Sequence, residues 1–235
     1  MPIRTSCCAS ALLAACVLVS TAAAQTQPST AAPQTVTVRD LRFELVPGAA
    51  GSATIRVRRG AREVVSTTRT AEAVDPDRDR RWVFLADANF DGYPDIWVMQ
   101  AAGMVNTTYS VELFDPRTQS FVPMPDFEAL SNPTVDGRNR RITTSARGGC
   151  CAHTAATYRW RDARLEMIAE HGDEAATGED GHVCFVRLWR RERRGAEMID
   201  FPDRYVALHR FNREAEPAPE CRSARPPADG RTRAP

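Results

Sequence analysis

The chain predicts an all-β fold: one domain of antiparallel hairpins, arranged as a sandwich or a small propeller-like array. Three observations lead there. Apolar and polar residues alternate with period two in many short runs, pairs of Gly, Pro, Asn and Asp punctuate those runs, and no long segment carries a helical apolar stripe.

The first 24 residues stand apart from these runs. Arg4 precedes an apolar stretch from Cys8 to Val19, and Ala22-Ala23-Ala24 supplies small residues for cleavage, as in a secretory signal. The stretch is too short for an ordinary transmembrane helix. Leu13-Ala14-Ala15-Cys16 offers a second processing route, because it resembles a lipoprotein box that would leave an acylated Cys16 as the new N-terminus and place the protein on a membrane. Residues 25–34 form a polar, Pro-containing linker.

The strand candidates follow in order over 35–213: 35–45, 52–58, 62–69, 81–86, 96–101, 107–114, 118–122, 140–145, 155–161, 164–170, 182–190, 196–200 and 205–211. Turn chemistry at Pro47-Gly48, Arg59-Gly60, Asp115-Pro116, Asp136-Gly137 and Arg194-Gly195 separates them. The stretches 125–131 and 170–180 lack clear alternation and are compatible with helix. From Glu214 onward, residues 214–235 are rich in Pro, Arg and Ala, which predicts disorder beyond an anchor at Cys221.

One segment carries chemistry. Asp87-x-Asn89-x-Asp91-Gly92-x-x-Asp95 lies between Trp82-Val83-Phe84-Leu85 and Ile96-Trp97-Val98-Met99. Four oxygen-bearing side chains alternate along it, and Gly92 permits the reversal that lets them converge. Such a set suits a hard cation, with Asp87, Asn89, Asp91, Asp95 and the Tyr93 carbonyl as ligands to calcium. The loop differs from an EF-hand, because position twelve is Val98 and not a bidentate Glu, and its flanks are strand-like. Three carboxylates without that anchor predict a dissociation constant on the order of 10⁻⁴ M. A metal-free Asp-Gly hairpin turn is the competing reading, since Asp and Asn also satisfy their own backbone in turns.

The formal charge of +1 falls to zero once Arg4 leaves with the signal, so no global field draws the protein to nucleic acid or membrane. All the basic side chains are Arg. The one local cluster, Arg187, Arg190, Arg191, Arg193 and Arg194, reads as a solvated hairpin end near Glu192 and Glu197. Four cysteines remain after the signal: Cys150, Cys151, Cys184 and Cys221. An even number in an oxidising compartment predicts disulfides, with each of the adjacent pair expected to reach one of Cys184 and Cys221. A zinc site built on Cys150, Cys151 and His153 lacks the usual ligand spacing.

The four histidines, His153, His171, His182 and His209, are scattered, and neither H-E-x-x-H nor G-x-S-x-G occurs. Ser145 and His153 supply a nucleophile and a base on paper, but the sequence shows no third member and no oxyanion hole. The expectation is that the protein is not an enzyme.

Five segments in order carry a resemblance. They are Phe84-x-x-Asp87-x-Asn89-x-Asp91-Gly92-x-x-Asp95-Ile96; Tyr109-x-Val111-x-Leu113-Phe114-Asp115-x-x-Thr118-x-x-Phe121; Leu130-x-Asn132-Pro133; Ile142-x-x-Ser145-x-Arg147-Gly148-Gly149; and Thr157-Tyr158-Arg159-Trp160-x-x-x-x-Leu165-x-x-Ile168. Over 80–170 the chain resembles a family of bacterial periplasmic proteins that includes immunity proteins against lysozyme-like peptidoglycan hydrolases delivered by type IV secretion systems. The resemblance implies a propeller-like fold with a rudimentary calcium site at Asp87, Asn89, Asp91 and Asp95. It also implies an inhibitory loop on Ser145, Arg147, Gly148 and Gly149 that enters a glycosidase cleft. Glycines let a backbone enter a narrow cleft, and a hydroxyl with a guanidinium can pair with the two carboxylates such enzymes use. The chain departs from the pattern at Cys150-Cys151-Ala152-His153. The expected function is therefore a periplasmic, calcium-stabilised inhibitor of a lysozyme-like hydrolase. The second reading is a calcium-stabilised structural or adhesive envelope module.

Overall fold

The structure, a computed structural model, describes residues 33–48, 51–70, 82–148 and 152–227. Its described residues form three antiparallel sheets that do not close into a barrel. The first is a meander of β1 (Gln34–Val38), β2 (Leu41–Pro47), β3 (Ser52–Arg59) and β4 (Arg62–Thr70). The second is a meander of β5 (Val83–Ala86), β6 (Asp95–Ala102), β7 (Thr107–Asp115) and β8 (Ser120–Pro123). The third has seven strands. It runs from β9 (Thr134–Asp136) through β10 (Arg141–Arg147), β11 (Ala152–Arg161), β12 (Arg164–Thr177) and β13 (Val183–Arg194) to β14 (Glu197–Asp200), and β15 (Arg204–Ala207) also pairs with β13.

Side-chain alternation explains the layering. Leu41, Phe43 and Leu45 on β2 and Ala53, Ile55 and Val57 on β3 bury one face of the first sheet, while their neighbours face solvent. They pack against Val83, Leu85, Ile96, Val98 and Phe114 of the second sheet. The other face of that sheet presents Trp97 and Val111 to Phe127, Leu130 and Ile142, with Tyr158, Trp160 and Leu165 of the third sheet packed alongside. The second sheet is thus the middle layer, and β6 is buried from Asp95 to Met99 on both faces. A strand covered on two sides reads as a continuous apolar run, as Ile96-Trp97-Val98-Met99 does.

The structure corrects several expectations. The run 35–45 is two strands, because Arg39 adopts φ 55° in a tight turn at residues 39–40. The 125–131 stretch contributes only a 3₁₀ turn at Pro125–Phe127, where Pro fixes the entry and Phe127 is buried. The 170–180 stretch is no helix: β12 continues to Thr177, paired with β11 on one side and β13 on the other. Past β15 the chain forms one helical turn, α1 (Leu208–Phe211). The segment from Glu214 is placed as far as residue 227, with a 3₁₀ turn at Pro219–Cys221 and a hydrogen bond from the Glu179 N–H to the Arg225 carbonyl (3.1 Å).

The disulfide also differs from expectation. Cys184 on β13 bonds Cys221, with Cα atoms 5.4 Å apart, so neither reaches the adjacent pair. The long hairpin of β12 and β13 brings Cys184 to the turn at 219–221. Cys150 and Cys151 lie outside the described residues, as do the expected signal over residues 1–24 with Cys16, most of the 25–34 stretch and the last eight residues.

Candidate functional site

The Asp/Asn loop connects β5 to β6 in the middle layer. Asp87 leads it: one carboxylate oxygen accepts the N–H groups of Phe90 (2.6 Å) and Asp91 (3.2 Å), and the other accepts that of Gly92 (2.8 Å). Asn89 Oδ1 accepts the Asp91 N–H (3.0 Å), and Asp91 Oδ1 accepts the Tyr93 N–H (2.8 Å). These are successive Asx turns, which explains why Asp and Asn occupy alternate positions. Gly92 at φ 92° makes the reversal, and Phe90 takes φ 63° without being glycine.

Asp95 points the other way. It is 0% exposed, its Oδ2 accepts the Ala88 N–H (2.7 Å), and its Oδ1 accepts the Phe114 N–H from β7 (2.9 Å). Burial pushes its pKa up to about 7, against the pull of those two hydrogen bonds, and the nearby Asp91 and Asp87 charges raise it further. Tyr93 turns its ring into the core against Phe43 and Phe114, and its hydroxyl accepts a hydrogen bond from Arg39 (2.9 Å). The third sheet holds the loop too, through Trp160 Nε1 donating to the Ala88 carbonyl (2.6 Å).

As placed, the side chains serve the loop's own backbone. Asn89 directs its amide nitrogen toward Asp91 (3.0 Å), and both Asp95 oxygens are engaged by main-chain donors. Among the described residues, no group of three or more His, Cys, Asp or Glu side chains is gathered to hold a metal ion. A cation here would have to share the carboxylate oxygens of Asp87, Asp91 and Asp95 with these main-chain donors.

Ser145, Arg147 and Gly148 sit at the end of the β10–β11 hairpin; Gly149 lies outside the described residues. The hairpin is closed by the Gly148 N–H donating to the Ala152 carbonyl (2.8 Å). Its outer edge is clamped by two asparagines. Asn106 accepts the Arg147 N–H (2.9 Å) and donates to the Arg147 carbonyl (2.9 Å). Asn132, at φ 47°, donates to the carbonyls of Ser145 (2.8 Å) and Val105 (3.0 Å) and accepts the Thr107 N–H (2.9 Å). The backbone is thereby fixed while the Ser145 and Arg147 side chains stay exposed. Among the described residues the Arg147 guanidinium has no carboxylate partner.

Antiparallel register puts Ser145, Arg147, His153, His171 and Asp173 on one face, around a recess of about 280 Å³. Asp173 supplies the partner that His153 lacked in the sequence, at Nδ1 to Oδ2 2.8 Å. Among the described residues, no hydrogen bond joins the Ser145 hydroxyl to His153. Ser145, His153 and Asp173 thus share one face of the sheet.

The arginine cluster is internally matched, though not by Glu192 or Glu197. Arg187 bridges Glu174 and Asp203 (2.7 Å each), Arg191 meets Glu170 (2.6 Å), and Arg193 donates to the carbonyls of Met167 (2.8 Å) and Ala196 (2.7 Å). Arg190 and Arg194 lie over the Phe201 ring at 4.0 and 5.6 Å.

Fold and site together define an all-β protein of stacked antiparallel sheets in which two asparagines clamp the Ser145–Arg147 end of β10. No family model matches the chain, and no curated protein matches it. Among solved structures it is similar to one described as "Structure of a Xanthomonas Type IV Secretion System related protein", with 16% identity and a TM-score of 0.47, covering 74% of this chain and 95% of that one.

Proposed function

We propose that this protein is an exported, non-enzymatic periplasmic protein that inhibits a lysozyme-like peptidoglycan hydrolase by inserting the β10–β11 hairpin into its cleft. The observation that carries this reading is the clamped hairpin. Asn106 and Asn132 hold its backbone, so little conformational entropy is lost when a partner closes around it. Arg147 then projects a guanidinium that can pair bidentately with a cleft carboxylate, and Ser145 adds a hydroxyl on the same face. The Cys184–Cys221 bond supports an oxidising compartment.

Calcium enters as a stabiliser of the 87–95 loop and has no part in the inhibitory step. Its support is the proximity of Asp87, Asp91 and Asp95, whose mutual repulsion helps to raise the Asp95 pKa and which a cation would relieve. Binding would require the loop to turn Asp95 or the Asn89 oxygen toward the ion.

The test is a peptidoglycan-degradation assay with a panel of lysozyme-type hydrolases, including any encoded beside this protein. Wild type should inhibit at least one. Arg147→Ala should weaken that inhibition by about 2–5 kcal/mol, since it leaves a cleft carboxylate buried and unpaired. Arg62→Ala, at the exposed start of β4, should change little. Absence of inhibition across the panel, or equal inhibition by wild type and Arg147→Ala, rejects the reading.

A further inference from the structure

We infer that the partner is gripped by two elements and not one: beside the Ser145–Arg147 end of β10, the β6–β7 turn supplies an apolar anchor, Met104 with Val105, locked next to Arg147 by Asn106 and Asn132. The inference rests on the inhibitory role given to the β10–β11 hairpin and names a second half of the same contact.

Met104 is 96% exposed and Val105 46%, and no other large apolar side chain among the described residues stands so far into solvent as Met104. A lone exposed apolar residue needs no explanation by itself. The lock is the second, independent observation. The β6–β7 turn already closes on itself through the Gly103 N–H and the Asn106 carbonyl (2.8 Å). The Asn106 side chain is therefore not needed to make the turn. It spends both amide groups on the backbone of Arg147, 41 residues away. Asn132 grips the Val105 and Ser145 carbonyls with a single nitrogen, which sets the β6–β7 turn beside the Ser145–Arg147 end of β10. These four side-chain hydrogen bonds add to the main-chain bonds from the Asn132 N–H to the Thr107 carbonyl (2.7 Å) and from the Ser145 N–H to the Ser131 carbonyl (3.2 Å), and together they make one ridge.

The ridge carries an apolar tip beside a guanidinium with no carboxylate partner among the described residues. Its complement is an apolar pocket bordering a carboxylate. A cleft built to hold sugar rings against paired carboxylates has that layout. Methionine suits the anchor role, because its unbranched, polarisable side chain adapts to an irregular pocket. Asn106 is a positioning residue in this scheme: it touches no partner and fixes the distance between the two elements that do.

The experiment uses the full mature protein in two measurements. In hydrogen exchange, Asn106→Ala should speed the Arg147 amide by about tenfold, because that N–H faces away from β11 and has Asn106 as its acceptor. Met104→Ser should leave that amide unchanged. In the hydrolase panel, Met104→Ser should raise the inhibition constant by about tenfold or more, with a smaller rise for Asn106→Ala. Melting temperature should be unchanged in Met104→Ser, since its side chain is in solvent. An Arg147 amide that exchanges no faster in Asn106→Ala overturns the lock. If Arg147→Ala loses inhibition while Met104→Ser stays within about twofold of wild type, the contact has one element; the inference fails and the inhibitory reading stands. If wild type inhibits nothing in the panel, both fall.

Discussion

Replacing Cys221 by Ala tests how the C-terminal segment is held. The bond joins residues 37 apart in sequence, so it closes a loop holding most of β13, together with β14, β15 and α1. With a loop of that size, the chain-entropy relation gives about 13 cal/mol/K, or about 4 kcal/mol at room temperature, as the penalty the cross-link places on the unfolded state. Little offsets it in the folded state. Cys184 is 2% exposed, and as a free thiol it remains a small apolar side chain in its site. Urea unfolding of oxidised wild type, reduced wild type and Cys221→Ala should show the variant losing about 2–4 kcal/mol. Reductant should not lower the variant further, which separates this bond from any chemistry of Cys150 and Cys151. A loss under about 1 kcal/mol, or a variant that still weakens on reduction, refutes the reasoning.

The Asp95 pKa sets a pH dependence. Its folded pKa, raised to about 7, lies above the unfolded value, so the folded state binds the proton more tightly; this stability is fully present below about pH 4 and is lost as pH rises through about 7. Between those limits wild type should lose stability with rising pH, by up to about 1.4 kcal/mol per unit, and Asp95→Asn should lack that component; parallel profiles reject the assignment. Millimolar calcium should raise the melting temperature of wild type and not of Asp87→Ala, and identical melting in EDTA and in calcium excludes an exchangeable site. A Cβ at Gly172 would meet the His153 carbonyl at 2.5 Å and the Trp189 ring at 2.6 Å, so Gly172→Ala should cost about 1–3 kcal/mol in chemical denaturation, and a neutral result shows that β11 can move aside.

Much of the strand order is legible in the chain because period-two alternation reports a half-buried sheet directly. The β3 residues alternate apolar and polar, and their burial follows. The loop between β5 and β6 is equally legible, since the D-x-N-x-D-G spacing needs no distant partner. Failures cluster where distant partners decide. His171-Gly172-Asp173-Glu174 has no strand alternation of its own, yet pairing on both sides holds it extended, and Gly172 is needed because Trp189 lies across it. The inward turn of Asp95 depends on the Phe114 N–H from a strand 19 residues on. Spacing cannot encode the Cys184–Cys221 pairing, and nothing near Asn106 announces its grip on Arg147. The one local hint at the second clamp is Asn132 before a proline, a residue type that tolerates the left-handed backbone it adopts.

The middle sheet, apolar on both faces, bears on the order in which the chain assembles. Taken alone it would be a ribbon with two sticky sides and open edges, a shape that invites association between chains. Layer order follows chain order, however: a chain emerging N-terminus first completes the β1–β4 sheet before the β5–β8 strands appear. One sticky side is thus covered as it forms. Strand pairing is almost entirely between sequence neighbours, so ring closures are short and hairpin formation is fast. The vulnerable interval is the wait of the Trp97 and Val111 face for the third sheet, and substitutions that delay β10–β12 should appear as aggregation during synthesis before they appear as lost stability in the finished protein.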